Sequence, residues 1–214
     1  MMQASARAGA IILAAGTSSR MGQGRNKLLL PLRAKPVLAH VVEAVLGSRA
    51  RPIILVLGHQ SSEVQAQIQP YLAEQSIQLV ENPDFALGQS TSMQVGLRAL
   101  LALPAADQPA SILFLLGDQP MITSQMLDAL SALHVQSNKR IVLPLYNGKR
   151  GNPVSFALDL APALLQVSGD EGGRSLLKRY PEEIATLEMG TEGANIDVDT
   201  WEAYQQVLAM EPPL

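Results

Sequence analysis

Residues 10–22 read AIILAAGTSSRMG, an apolar run that stops in small, hydroxylated and glycine residues, with Arg20 inside it and Lys27 a short way beyond. A run that is apolar at successive positions marks a strand covered on both faces, and such strands belong to parallel sheets. Where the run ends, small residues let backbone N–H groups converge on an anion, and Arg20 and Lys27 add the full charges that a polyphosphate requires. The stretch therefore predicts a buried strand that delivers its chain into a nucleotide-handling loop. That loop lacks both the G-x-x-x-x-G-K-[ST] and the G-x-G-x-x-G spacing, so neither of those phosphate-binding mechanisms transfers to it.

Outward from this strand the same rhythm repeats. Strands are predicted over 10–14, 53–57, 77–81, 111–116 and 141–145, and helices over 37–47, 61–70, 90–102 and 123–134. Right-handed crossovers between such strands give an α/β fold, a three-layer, doubly wound, mostly parallel sheet with helices on both faces. After residue 145 the rhythm loosens, which predicts a small antiparallel insertion, a short helix over 159–166 and a strand in EIATLEM (183–189). No repeat, low-complexity linker or composition break divides the chain, so residues 1–214 are expected to form a single domain.

With 214 residues, 47% hydrophobic and 16% charged, and only three Phe, four Tyr and one Trp, the chain is suited to one aliphatic core. No apolar stretch reaches the roughly 18–20 residues of a membrane helix, and no cleavable signal pattern precedes the first strand, so a cytoplasmic location without a membrane partner is expected. The absence of cysteine excludes disulfides, thiolate metal ligands and a Cys nucleophile, and leaves oxygen or imidazole ligands, a restriction that Mg²⁺ meets. A net charge of −3 argues against a nucleic-acid partner. The charge is uneven, because residues 1–51 carry eight basic side chains against the single acid Glu43. Of these, Arg33, Lys35, Arg49 and Arg51 read as a solvated basic surface.

The strand at 111–116 runs into Gly117-Asp118-Gln119-Pro120. An acid at the carboxyl end of a central parallel strand lies where doubly wound folds bind ligands, so Asp118 is expected at the mouth of the crevice as a metal ligand, with Thr123 capping the next helix. Asp197 and Asp199 in NIDVDT are expected to point the same way from an extended segment. Nucleotidyl transfer to a phosphate needs no general base, since a phosphomonoester with a second pKa of about 6 is largely dianionic near neutrality. Catalysis then rests on alignment and on neutralising the α-phosphoryl group and the departing pyrophosphate, through Mg²⁺, Lys27, Arg20 and loop N–H groups. His40 and His134 read as ordinary helix residues, and His59 ends the second strand near the expected nucleotide.

LAAGTSSRMG with Lys27 behind it, followed in order by NKLLLPL, GQSTSMQVGL, LLGDQPM, RGNPVSF, GDEGGR and DVDT, resembles the molybdenum cofactor cytidylyltransferases, the MocA-like branch of the MobA-like nucleotidyltransferases. The likeness spans nearly the whole chain. It implies the Rossmann-like sheet of the nucleotide-diphospho-sugar transferase type, and transfer of CMP from CTP to the phosphate of a molybdopterin-type cofactor with release of pyrophosphate. It implies that Leu13, Ala14, Ala15, Gly16 and Lys27 hold the nucleotide, and that Ser90 and Ser92 lie near base and ribose. The acceptor side falls to Gly151, Asn152 and Pro153 and to Gly169, Asp170, Gly172 and Arg174. Mg²⁺ falls to Asp118 with one of the late pair, Asp199 or Asp197, with Asp199 the favoured partner and Asp197 then standing behind it. Ala15, where related guanylyltransferases carry a second glycine, favours cytosine, and a molybdenum hydroxylase or its maturation chaperone is the implied protein partner.

Three positions depart from the resembling pattern. The loop from Gly22 to Lys27 is one residue longer, Trp201 stands where proline commonly follows D-x-D-T, and Ala203 replaces a frequent acid, all of which predict local repacking. Two other readings stand beside this one: the same transfer with GTP or with a sugar or polyol phosphate, and a non-catalytic carrier or insertion chaperone for the molybdenum cofactor. Lys27, Asp118 and the Asp197/Asp199 pair weigh against pure binding.

Overall fold

In chain order the elements are β1 (Ala8–Ala14), β2 (Pro31–Leu32), β3 (Lys35–Pro36), α1 (Val37–Gly47), β4 (Ile53–Leu57), α2 (Ser61–Ile68), β5 (Ile77–Glu81), α3 (Gln89–Leu101), β6 (Ser111–Leu116), α4 (Ser124–Ser137), β7 (Ile141–Tyr146), β8 (Lys149–Arg150), β9 (Val154–Ala157), α5 (Ala161–Leu164), α6 (Arg174–Arg179), β10 (Ile184–Glu188) and α7 (Trp201–Ala209). They are taken from a computed structural model that describes residues 7–22, 25–72, 77–169, 172–190 and 195–211. The main sheet has the order β10-β7-β9-β6-β1-β4-β5, with β8 attached to β7, while β2 and β3 form a separate ribbon. The mostly parallel, doubly wound α/β sheet read from the chain is thus the fold.

Each central strand is apolar throughout because it serves two cores. On β1, Ala8, Ala10, Ile12 and Ala14 belong to the core under α1, α2, α4 and α7, while Ile11 and Leu13 belong to the core under α3, α5 and α6. The same alternation holds on β4, with Ile53, Leu55 and Leu57 on the first side and Ile54 and Val56 on the second. Helix α3 lies close on its face of the sheet. A Cβ at Gly96 would stand 2.5 Å from Ile11 Cγ2, so the small residue sets the depth to which the helix sinks and brings its amino end to the strand termini.

The antiparallel insertion differs from a separate annex, because β9 is part of the main sheet, running antiparallel between β6 and β7. The turn that starts it is Asn147-Gly148, both with positive φ (50° and 75°), joining β7 to β8. Asn-Gly is the residue pair that a two-residue hairpin of this hand favours. The predicted helix at 159–166 shrinks to α5 after one 3-10 turn, and the EIATLEM strand is β10, parallel to β7. Thr123 caps α4 as expected, its hydroxyl accepting from Met126 N at 3.2 Å.

Of the basic side chains read as solvated surface, Arg49 is 93% exposed as expected, while the other three have specific partners. Arg33 donates to the Met210 carbonyl at the end of α7, Arg51 to the Leu46, Ser48 and Ala50 carbonyls at the end of α1, and Lys35 pairs with Glu43 at 2.7 Å. Two of these four residues therefore sit where helix carbonyls attract cations. Among the described residues no helix is long and apolar enough to cross a membrane.

His134 is more than an ordinary helix residue, since its Nδ1 lies 2.9 Å from Ser155 Oγ on β9, where Ser155 is fully buried. Burial holds the imidazole below its ordinary value of 6.5, with Asp159 opposing in part. The unfolded chain therefore binds the proton first, so the stability His134 contributes is present above about pH 6.5 and is lost as pH falls towards its folded pKa. The melting temperature is expected to fall between pH 7 and pH 5, and His134→Gln to flatten that part of the curve. A wild-type slope retained in the variant would assign the loss to other groups.

Candidate nucleotide site

The chain leaves β1 towards β4 on one side of the sheet and leaves β6 towards β9 and β7 on the other. Ligands of such sheets bind outside the carboxyl ends of the strands where that divergence occurs. Here the crevice is a cavity of about 550 Å³ with Leu13 to Arg20 along one wall and Lys27, Asp118, Asp197 and Asp199 along another. Gly117 N donates to Leu13 O at 2.9 Å, which ties the two strand ends together.

The loop after β1 is shaped by its own polar side chains. Ser18 takes a left-handed conformation (φ 55°), its carbonyl accepts from Met21 N at 3.0 Å, and its hydroxyl accepts from Lys27 N at 3.0 Å. Met21 is buried as an anchor, and Asn26 Oδ1 accepts from Leu28 N at 3.1 Å to start the turn that carries Lys27. Serine and asparagine suit this work because their short side chains can satisfy nearby backbone donors.

The late segment is fastened to the strand end by its backbone. Val198 N donates to Asp118 O at 2.9 Å while the Val198 side chain is fully buried, so the flanking Asp197 and Asp199 are both directed into the cavity. They arrive there through a tight turn and not an extended segment, because Asp199 N donates to Asp197 O at 2.8 Å. The Lys27 ammonium bridges Asp118 Oδ2 and Asp199 Oδ1, the latter at 2.5 Å, and Arg20 Nη1 holds Asp199 Oδ2 at 2.6 Å. Gln119 Nε2 donates to Asp197 Oδ1 at 2.6 Å.

These contacts divide the titrating groups. Burial works against the Lys27 ammonium, but Asp118 and Asp199 outweigh it and raise its pKa above the ordinary 10.5. Burial likewise opposes ionisation of Asp199, yet Lys27 and Arg20 prevail and hold this carboxyl below its usual range. Asp197 goes the other way, pushed up by burial and by the neighbouring Asp118 charge. Asp118 and Asp199 are hard oxygen donors of the kind Mg²⁺ accepts. Among the described residues no group of three His, Asp or Glu side chains is arranged to hold a metal ion.

Leu13, Ala14, Ala15, Gly16, Arg20, Lys27 and Ser92 all line the cavity, whereas Ser90 is buried beside it without reaching it. Phe85, Ala86, Gly88 and Gln89 line it as well. Gly88, at φ 111° immediately before α3, carried a signal for this, a glycine opening a helix at a strand terminus, and Phe85 carried none. Ala15 is wedged against Gly58, where a Cβ would lie 2.7 Å from Ala15 Cβ and 2.9 Å from Ala15 O. Gly58→Ala is expected to cost about 1–3 kcal/mol as overpacking and to weaken nucleotide binding by displacing the loop. Melting and nucleotide titration of the variant check both, and a wild-type melt would show that the loop yields freely.

A smaller cavity of about 70 Å³ adjoins the first and shares Leu13, Gln89, Leu116 and Arg174 with it. Of the residues assigned to the acceptor, Asn152 and Arg174 line it. Among the described lining residues Gly151, Pro153, Gly169 and Gly172 do not appear, and Asp170 lies outside the described residues. Gly172 has a positive φ of 52°, and a Cβ there would stand 2.9 Å from Oε1 of Gln89, a residue that lines both cavities. Helix α6 begins at Arg174 itself.

Residues 10–184 match the family described as the MobA-like NTP transferase domain. Similar proteins include the molybdenum cofactor cytidylyltransferase of Escherichia coli, 34% identical over 73% of this chain and 71% of that protein. The purine catabolism protein PucB of Bacillus subtilis is 32% identical over 92% of this chain and 94% of its own. The nicotine blue oxidoreductase of Paenarthrobacter nicotinovorans is 29% identical over 92% and 95%. Among solved structures, the homologue of Mycobacterium tuberculosis Rv0371c from Mycobacterium sp. strain JC1 superposes with a TM-score of 0.79 at 26% identity, covering 95% of this chain and 96% of that one. By the extent of that match and the two relatives above 30% identity, the chain belongs to the MobA-like NTP transferase domain family.

Proposed function

We propose that the chain is a cytidylyltransferase that moves CMP from CTP to the phosphate of a molybdopterin-type cofactor and releases pyrophosphate. The observation that carries this reading is the Lys27 ammonium held between the strand-end Asp118 and the late Asp199, beside the loop of residues 13–20 in one open cavity. A triphosphate entering along that loop meets two cations, Arg20 and Lys27, whose carboxylate partners are oxygen donors suited to a metal. Asp118 and Asp199 would hold Mg²⁺, which when bound supplies charge neutralisation at the reacting phosphoryl oxygens. Asp197, held by Gln119 and less readily ionised, stands behind them.

Drawn off Asp199, Lys27 and Arg20 pair with phosphate oxygens and hold the triphosphate in line. The acceptor phosphate oxygen then forms its bond to the α-phosphorus as the bond to the bridging oxygen breaks and pyrophosphate leaves, without a proton having to be moved. Arg174 lines both cavities, which supports a role in orienting the acceptor phosphate. Ala15, where the related guanylyltransferases carry glycine, supports cytosine as the base by resemblance, and a molybdenum hydroxylase or its maturation chaperone is the proposed recipient of the product in the cytoplasm.

The test is pyrophosphate release by purified protein with Mg²⁺, molybdenum cofactor and each of CTP, GTP and ATP. Release with CTP is expected; release with GTP alone would reassign the base, release only with a sugar or polyol phosphate would reassign the acceptor, and cofactor binding without release would favour the carrier. Nucleotide at about 100 times its Kd should stabilise the fold by about 2.7 kcal/mol.

A further inference from the structure

The loop that carries Lys27 and the segment that carries Asp199 are joined by a second rung beside the ion pairs. Two residues before Lys27, the Arg25 guanidinium lies over the Trp201 ring, 5.0 Å from its centroid, and Trp201 itself comes two residues after Asp199. The ring is held from behind, for Trp201 meets Tyr204 edge to face at 5.6 Å and the Tyr204 hydroxyl donates to Pro31 O. Thr200 caps α7 by accepting from Ala203 N at 3.2 Å, which fixes the backbone from which the ring projects.

The two rungs respond differently to an incoming polyphosphate. Arg20 and Lys27 are cavity-lining cations, so phosphate oxygens compete with Asp199 for both. Neither Arg25 nor Trp201 lines the cavity, and an aromatic face offers a guanidinium something that no phosphate in that cavity displaces. One departure from the resembling sequence pattern, the tryptophan after D-x-D-T, supplies the ring of this contact.

We propose that Arg25 and Trp201 form a latch that keeps residues 25–27 docked against the 199–201 segment once a nucleoside triphosphate has drawn Arg20 and Lys27 off Asp199. Both are then positioning residues that govern affinity for the triphosphate and leave the chemical step alone. The latch rests on the reading of the cavity as a nucleotide site.

Trp201 is the only tryptophan in the chain, so its emission reports the stack directly. In nucleotide-free protein, Arg25→Ala is expected to change that emission and to speed backbone hydrogen exchange in residues 25–30, and an unchanged spectrum with unchanged exchange would overturn the stack. In turnover, Arg25→Ala and Trp201→Ala should each raise KM for CTP about three-fold, the scale of a partly exposed cation–π contact, with kcat within two-fold. The double variant should be no worse than the worse single one, and Arg25→Lys or Trp201→Phe should recover part of the loss. CTP turnover with KM unchanged in both single variants, or additive losses in the double, would overturn the latch alone. A wild-type protein that binds no nucleoside triphosphate, while Arg25→Ala still alters the emission, would overturn the nucleotide reading and the affinity role with it, and leave the stack as packing.

Discussion

Replacing Asp118 with Asn lowers CTP-dependent pyrophosphate release by about 10²- to 10³-fold, the scale on which one preorganised charge-stabilising group acts, and leaves pterin binding close to that of the wild type. The substitution keeps the shape of the side chain and the Asp118 carbonyl that receives Val198 N, so the late segment stays in place. What it removes is one of the two carboxylates around Lys27, and with it a negative oxygen donor at the reacting end of the cavity. Pyrophosphate release and pterin titration measured on one preparation separate the two effects. Unchanged turnover would remove Asp118 from the chemistry.

Lys27→Met has the other large effect, and it is double. Lys27 and Asp118 are each little exposed, at 13% and 12% of their side chains, so taking away the cation leaves the Asp118 carboxylate without its counter-charge, beside an Asp199 that retains Arg20. Breaking a buried pair on one side costs roughly 3 kcal/mol, or about 6–12 °C in melting temperature for a domain of this size. Turnover should fall by at least 10²-fold as the triphosphate loses its most enclosed cation. Adding Asp118→Asn to Lys27→Met should restore part of the lost stability, because the stranded charge goes, and none of the activity. Recovery of activity in the double variant would mean that Lys27 serves only to neutralise the carboxylates.

Much of this site was legible in the residues because the features that build it are local. The change from IILAA to GTSS announces a strand end, and an acid after SILFLL announces its neighbour's end; both follow from which faces are covered and where the ladder stops. Composition and period are silent about side chains that work through contacts far apart in the chain. The Val198 N to Asp118 O bond that aims two carboxylates, and the Arg25 stack on Trp201, depend on how α7 settles against the first loop. The glycines of RGNP and GDEGGR read as ligand-facing, and a second constraint acts on two of them: a Cβ at Gly151 would meet Asn195 Oδ1 and the Tyr146 ring, and Gly172 has the positive φ of 52° that favours glycine. The Asn147-Gly148 hairpin was open to reading, and it decides that the chain turns back into the sheet as β9.

The bridge from Lys27 to Asp199 spans 172 positions of the chain. During synthesis at 5–20 residues per second, roughly ten to thirty seconds separate the emergence of these two partners from the ribosome. For that interval a nascent polypeptide carries the glycine bend and its cations without Asp199, and for the first half of it without Asp118 as well. The proposed site is complete only once the segment carrying Asp197 and Asp199 has been delivered, so ribosome-stalled fragments that end before it are expected to be inert however well their sheet had formed.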